Sequence, residues 1–305
     1  MQIHGISLVK DEVDVISHSL ERATKWCDYI YVFDNGSTDG TWEVVQDLHR
    51  KFENIIPFRQ EQRPFHNTLR TEVFNACKDR ASSGDWWCKL DADEFYIDNP
   101  QRFLVRVPKQ YDLVLGSSFQ YKFTDKDLEE YERDPKHYED RPVYDRLRYY
   151  LNDWSEPRFV RHEKSGIWDT GHPKAESVFP CRIWLKHYQY RSPEQIQRRL
   201  ISRKKAAHEG AGFRHEISET WGASLRVQKN SENEAYGMSG QEWRERVVRS
   251  DLLYFDRFDG RFVPREDLLK PVPTRGLKKE LHDVYSLLRD RVATRSQEVR
   301  TRLKM

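Results

Sequence analysis

The first hundred residues alternate short apolar runs with segments of helical periodicity, and this pattern restricts the chain more than any other feature. Ile3 to Val9 reads as a strand, Glu12 to Trp26 as a helix and Tyr29 to Phe33 as a second strand. A helix over about Thr41 to Arg50, a strand near Ile55 to Phe58, a helix over about Asn67 to Ala81 and a strand from Trp86 to Leu90 follow. Strands joined through helical crossovers predict an open, mostly parallel α/β sheet. Ligands of such sheets gather at the carboxyl ends of the strands.

Past residue 100 the alternation weakens. Tyr111 to Phe123 and Ile183 to Tyr190 read as strands, and Asp125 to Asp140 as a solvated helix or loop. Ser192-Pro193-Glu194-Gln195 predicts a helix start with a capping box and Pro at the first helical position. After Gly276, a stripe of Leu277, Leu281, Val284, Leu288 and Val292 predicts a final helix, and residues 275 to 304 carry nine Lys or Arg against four Asp or Glu. That basic helix has three roles open to it: packing on the domain, forming a homodimer, or resting peripherally on an anionic membrane face. The expected division is 1–100 and 101–205 as two halves of one domain, with 206–305 a mostly helical extension.

Composition narrows the class. Aromatic residues make up 13% of the 305 residues, which argues for a packed core against disorder. Lys plus Arg number 52 against 50 Asp plus Glu, a net charge of +2 that offers no basic coat for nucleic acid. Cys27, Cys77, Cys88 and Cys181 lie far apart, so a reducing, cytoplasmic setting is expected. Neither an N-terminal signal peptide nor a run of eighteen apolar residues is visible.

The sharpest chemical feature is Trp86-Trp87-Cys88-Lys89-Leu90-Asp91-Ala92-Asp93-Glu94-Phe95, where an apolar strand ends in two carboxylates one residue apart. If extended geometry continues, Asp91 and Asp93 face the same way. Two like charges so close call for a cation, and hard oxygen ligands suit Mg2+ or Mn2+ with phosphate oxygens completing the shell. A surface turn with solvated acids is the structural alternative. A second constellation, Asp34-Asn35-Gly36-Ser37-Thr38-Asp39-Gly40-Thr41, follows the second strand. Ser37, Thr38 and Asp39 are candidate helix caps, and Asp34-Asn35 offers acceptors for a base edge or ribose hydroxyls.

The order of Lys10-Asp11-Glu12, then Asp34 to Thr41, then Arg70, then Leu90-Asp91-Ala92-Asp93-Glu94-Phe95 resembles the family-2 type of glycosyltransferase. The resemblance is specific over about residues 1 to 100 and looser to about 205. It implies a GT-A fold, an open mixed sheet with a Rossmann-like nucleotide-binding half, and transfer of a sugar from a nucleotide diphosphate sugar. On that resemblance Val9, Glu12, Asp34 and Asn35 line the nucleoside site, and Arg70 approaches the diphosphate. Asp91 contacts ribose or metal, and Asp93 ligates the metal. Many family members have Asp where this chain has Asn35. An Asn carbonyl still accepts from a base N–H, so binding survives while the choice of base loosens. Leu185-Lys186-His187-Tyr188-Gln189-Tyr190-Arg191-Ser192-Pro193 is similar to the later region of the fold whose His completes the metal site, with Arg191 open either to a phosphate or to a salt bridge.

Family-2 enzymes are mostly inverting, which requires a base to take the acceptor's proton. Relatives use a Glu-Asp pair, but Glu139-Asp140 lies in the charged stretch close behind Asp93. Trp168-Asp169-Thr170-Gly171-His172-Pro173-Lys174 is the better candidate, with Asp169 or His172 as the base. The expected donor is a UDP-sugar, and the acceptor a glycan or lipid-linked glycan.

Rival classes fit less well. A haloacid-dehalogenase-type phosphatase continues its D-x-D with Thr or Val, not Glu94-Phe95. A nucleotidyltransferase has a glycine-rich loop where this chain has Lys10-Asp11-Glu12. The His-Glu pairs at His162, His208 and His215 lack the second His of a zinc hydrolase, and G-x-G-x-x-G is absent. A non-catalytic relative that binds a sugar nucleotide or a partner remains the alternative from outside enzymology.

Overall fold

The computed structural model describes residues 1–147, 149–162, 168, 175, 177–208, 248–249, 253–256 and 261–264, with side chains from these except 125–126, 149–155 and all beyond 208. Its centre is an eight-strand path in the order β3-β2-β1-β4-β7-β6-β8-β5. The strands are β1 Ile3–Val9, β2 Tyr29–Asp34, β3 Ile55–Gln60, β4 Trp86–Lys89, β5 Glu94–Tyr96, β6 Leu113–Lys122, β7 Tyr149–Arg161 and β8 Ile183–His187. β1, β2, β3 and β4 are mutually parallel, as the crossover pattern predicts. β7 runs antiparallel to both β4 and β6, and β8 is parallel to β6. Two reversals restore the original sense. The carboxyl ends of β1, β2, β4 and β8 therefore open on one edge of the sheet.

The helices that cover the parallel half are α1 Ile16–Ala23, α2 Thr41–Lys51 and α3 Thr68–Cys77. α1 begins four residues later than its periodicity suggests, because Glu12 and Val13 turn their backbone N–H groups to Thr41 Oγ1 (2.9 Å) and Asp39 Oδ2 (3.1 Å). Ile16, Leu20 and Ala23 then bury the apolar stripe of α1 among Ile3, Ile30, Val32 and Val45. On the other face of the sheet Ile6, Tyr31, Phe33 and Trp87 pack under Val73 and Phe74 of α3. Burying a large apolar side chain contributes about 1.5–3 kcal/mol, so these two layers anchor the strand ends that carry the polar residues.

The second half departs from strict alternation. α4 Pro100–Leu104 is capped by Asn99, whose side chain accepts from the Arg102 N–H. The charged stretch forms α5 Asp125–Arg133 and α6 Pro135–Asp140, followed by α7 Val143–Arg146. α5 opens with a capping box between Thr124 and Asp127. α8 Pro193–His208 begins as expected after Ser192, whose Oγ accepts the Gln195 N–H at 3.4 Å. The Gln195 side chain departs from the box pattern and accepts the N–H of Arg191 instead.

Beyond residue 208 the described residues are β9 Val248–Arg249, which pairs with β7, and the hairpin β10 Leu253–Asp256 with β11 Arg261–Pro264. The basic helix expected after Gly276 lies outside the described residues, and among those described no helix is long and apolar enough to cross a membrane.

Candidate active site

At the mouth of β1 and β2 the two loops are stitched together. Asp11 takes a left-handed conformation with φ 53°, which a short polar side chain tolerates. Its N–H donates to Ser37 Oγ (2.9 Å) while its carboxylate accepts the N–H of Thr38 (2.8 Å). The cap of α2 is therefore not Ser37, Thr38 or Asp39, as the sequence suggests, but Gly40 at φ 98°. Ser37 is spent on the neighbouring loop, and Asp39 divides its carboxylate between Val13 and Thr41. Gly36, at φ 76°, could not carry a Cβ, which would lie 2.7 Å from Gln62.

This loop seats the expected nucleoside residues. Val9 pairs with Asp34, and its carbonyl accepts the Asn35 N–H at 2.8 Å. Asp34 is fully buried. One of its oxygens accepts the Ser37 N–H at 2.7 Å, and the other is buried with no partner. Burial raises the Asp34 carboxyl above its ordinary value, with the Ser37 N–H only partly opposing. Asn35 Oδ1 accepts the N–H of Arg63 at 3.2 Å, so its carbonyl helps fasten the loop after β3.

The two carboxylates after β4 do not point the same way. Extended geometry stops at Lys89, and a turn follows in which the Glu94 N–H reaches the Asp91 carbonyl at 3.2 Å. The turn sends the acids into two clusters. Asp91 is enclosed by Arg70 (2.5 Å), Lys89 (3.3 Å) and Arg158 (3.1 Å). Arg158, from β7, is 1% exposed and also holds Glu94 and Glu156, while Lys89 reaches Glu156 at 2.9 Å. Burial alone would raise the Asp91 carboxyl, yet Lys89, Arg70 and Arg158 hold it well below the usual carboxylate range. Glu94, Glu156 and Asp91 hold Arg158 charged against burial.

Asp93 faces the other cluster. Its Oδ2 lies 3.2 Å from His187 Nε2 at the end of β8, and its carbonyl accepts the Tyr188 N–H at 2.8 Å. Burial opposes ionisation of Asp93, but the His187 contact holds it below its ordinary value. Behind this pair Arg191 is fully buried. Its guanidinium donates to Asp14 Oδ2 (2.7 Å), Glu12 Oε2 (2.5 Å) and the Tyr188 carbonyl (3.0 Å). Burial pushes the Glu12 carboxyl up to about 7, against the pull of Arg191. Of the two roles open to Arg191, the structure contains the salt bridge. A phosphate would have to displace those contacts, which make Arg191 a buried strut between Asp14, Glu12 and the Tyr188 carbonyl.

The donor sets of the two clusters differ in what they suit. Oxygen atoms of Asp91, Glu94 and Glu156 lie within 4.8 Å of one another, but Arg70, Lys89 and Arg158 already contact all three, and a divalent cation there would face three positive groups. Asp93 and His187 offer one carboxylate and one imidazole, a pair that Mn2+ accepts, and His187 Nδ1 is buried without a partner. Glu156 and Arg158 were not legible as site residues, because nothing in their segment carries a motif, and Glu94 stood in the acidic motif without a role of its own. Asp169 and His172 lie outside the described residues. Trp168 is 1% exposed and packs in the core, whereas Trp184 is 41% exposed.

A sheet that gathers acidic strand ends on one edge has the form of an open α/β protein whose ligands bind at that edge. The glycosyl transferase family 2 profile matches residues 9–164, more than half of the chain, and the protein belongs to that family. Its open mixed sheet agrees with the GT-A fold expected of it. No curated protein matches the chain. Among solved structures, a mannosyltransferase from Pyrobaculum calidifontis in complex with GDP-Man and Mn2+ aligns with 12% identity over 68% of this chain, at a TM-score of 0.37. The chain spans 64% of that protein. TarS 1-349 from S. aureus aligns with 12% identity over 71% of this chain and 67% of its own, at a TM-score of 0.33.

Proposed function

We propose that the chain is a metal-dependent, inverting glycosyltransferase that moves a sugar from a nucleotide diphosphate sugar, a UDP-sugar by preference, to a hydroxyl of a glycan or lipid-linked glycan. Family membership supports the reaction class. The observation that carries the metal-dependent reading is the pairing of Asp93 with His187 at 3.2 Å, on the sheet edge where strand-end ligands bind. In this reading residues 1–100 hold the donor, 101–205 receive the acceptor, and the remainder is an extension.

Each residue then has a task in this reading. Asp34 presents an unpartnered acceptor oxygen for a base N–H. Val9, Glu12 and Asn35 form the walls around it. Asp91, kept ionised, accepts from ribose hydroxyls, and Arg70 stands beside it on the diphosphate side. Asp93 and His187 hold Mn2+ or Mg2+, which would neutralise charge gathering on the leaving diphosphate. Asp169 or His172 takes the proton of the attacking hydroxyl.

Calorimetric titration with UDP, GDP, TDP and CMP, in Mn2+ and in EDTA, tests the reading on the native chain and on Asp93→Ala. Tight binding of one nucleotide that needs Mn2+ and fails in the variant is the expected result. Failure of every nucleotide in both conditions would overturn the donor-site assignment and favour a metal-dependent phosphatase or a non-catalytic binding protein.

A further inference from the structure

His187 shows a second relationship, on the side of its ring turned away from Asp93. β5 and β8 pair antiparallel with Glu94 directly opposite His187. Glu94 Oε1 lies 4.0 Å from His187 Nδ1. That gap exceeds a hydrogen bond, yet Nδ1 and Glu94 Oε2 are each buried without a partner. Two orphaned polar atoms on facing residues are costly unless each finds a partner. An imidazole N–H and a carboxylate oxygen are complementary. Arg158 donates to Glu94 Oε1 and so holds the carboxylate on this side of the strand.

Without a metal, an ionised Asp93 favours the tautomer of His187 that carries its proton on Nε2, because the carboxylate accepts a hydrogen bond from that N–H. A cation at Asp93 needs the Nε2 lone pair, so the ring's proton must then sit on Nδ1. We propose that Glu94 is a positioning residue for His187: its carboxylate accepts the Nδ1 N–H, selecting the tautomer whose Nε2 can bind a divalent cation beside Asp93. This inference rests on the assignment of Asp93 and His187 as metal ligands. Glu94 does not itself touch the metal. The general rule is that a metal-ligating His donates its other N–H to a carboxylate, carbonyl or water, and that loss of this partner weakens metal binding about 10–100-fold.

Glu94→Gln tests it. Arg158 requires an acceptor, so the Gln oxygen turns to the guanidinium and its amide N–H groups face Nδ1, which favours the wrong tautomer. Mn2+ affinity is measured by calorimetry with saturating UDP in four proteins: wild type, Glu94→Gln, His187→Ala and the double variant. The expected result is a loss of about tenfold or more from Glu94→Gln in the wild-type background and no further loss where His187 is already Ala. An equal loss in both backgrounds, or none in the first, overturns the proposal. Glu94→Asp preserves the charge balance of the cluster and withdraws the carboxylate by one methylene, so it supplies the same readout if the Gln variant does not fold. If His187→Ala binds Mn2+ as wild type does, the metal-site assignment falls, an outcome distinct from failure of the Glu94 inference alone.

Discussion

His187 Nε2 stands 3.2 Å from Asp93 Oδ2 although 94 residues separate them in sequence. The contact joins the turn after β4 to the end of β8, and it exists because two antiparallel steps through β7 and β6 bring β8 back into the sense of β4. Removing His187 should therefore weaken Mn2+ binding and leave metal-free nucleotide contacts intact. His187→Ala is expected to lower Mn2+ affinity about tenfold or more, while the weaker UDP binding that remains in EDTA, read by the same calorimetry, stays at the wild-type value.

Arg158 is the buried cation shared by Asp91, Glu94 and Glu156. Taking it away strands carboxylates in the interior, and breaking a buried ion pair from one side costs about 3–5 kcal/mol. Arg158→Met should lower the unfolding free energy by about that amount in urea denaturation. Arg158→Met combined with Glu94→Gln removes one charge of each sign and should recover a large part of the loss. Equal stability of the single and double variants would refute the charge-balance account.

Gly116 on β6 makes room for that guanidinium stem. An added Cβ would lie 2.7 Å from Arg158 Cγ and 3.0 Å from Leu185 Cδ2. Overpacking a tight interior costs about 1–3 kcal/mol. Gly116→Ala should show a loss in this range by thermal or urea unfolding, with Gly84→Ala a poor control because Gly84 has φ 91°.

His4 is buried between Tyr29 and Trp87, with ring centroids at 4.9 and 4.7 Å, and its Nε2 has no partner. Burial lowers its pKa from 6.5 to about 4. The folded state thus holds the neutral ring while the unfolded chain binds a proton between those values. Stability from this group is complete above pH 6.5 and is lost as pH falls towards 4, by about 3 kcal/mol at most. Urea midpoints across that window should fall in the native chain, with a shallower slope in His4→Phe.

Asp34 combines a satisfied oxygen with an orphaned one. Asp34→Asn keeps the Ser37 contact and removes a desolvated charge, so the unfolding midpoint should not drop. The amide would present N–H groups to a ligand donor, and nucleotide affinity should fall about tenfold, in line with the loss of a charge-assisted hydrogen bond. Unchanged affinity would remove Asp34 from the nucleoside site.

The parallel half was readable because its signals are local. Ile3–Val9 and Tyr29–Asp34 are apolar runs that end at polar residues, and α2 runs within one residue of its expected span. The motif residues Asp34, Arg70, Asp91 and Asp93 all stand on the predicted edge, because parallel strands joined by crossovers must present their carboxyl ends together. The orientation of Asp91 and Asp93 was not readable, since alternation holds only while a strand continues and β4 stops at Lys89. Capping was misread for a related reason: Ser37 and Asp39 have the right chemistry for α2, but the loop after β1 competes for the same side chains.

By itself, then, the order of apolar runs, turns and acids determined the sheet class, the family and the edge on which the motif acids gather, since each depends on residues near one another in sequence. Which acid meets which cation was decided only by tertiary structure. Arg158 joins Asp91 from 67 positions away and Arg191 joins Glu12 from 179. Pairings over such separations depend on strand order and register, and in the buried interior they set which carboxylates are neutralised and which stay free for a ligand.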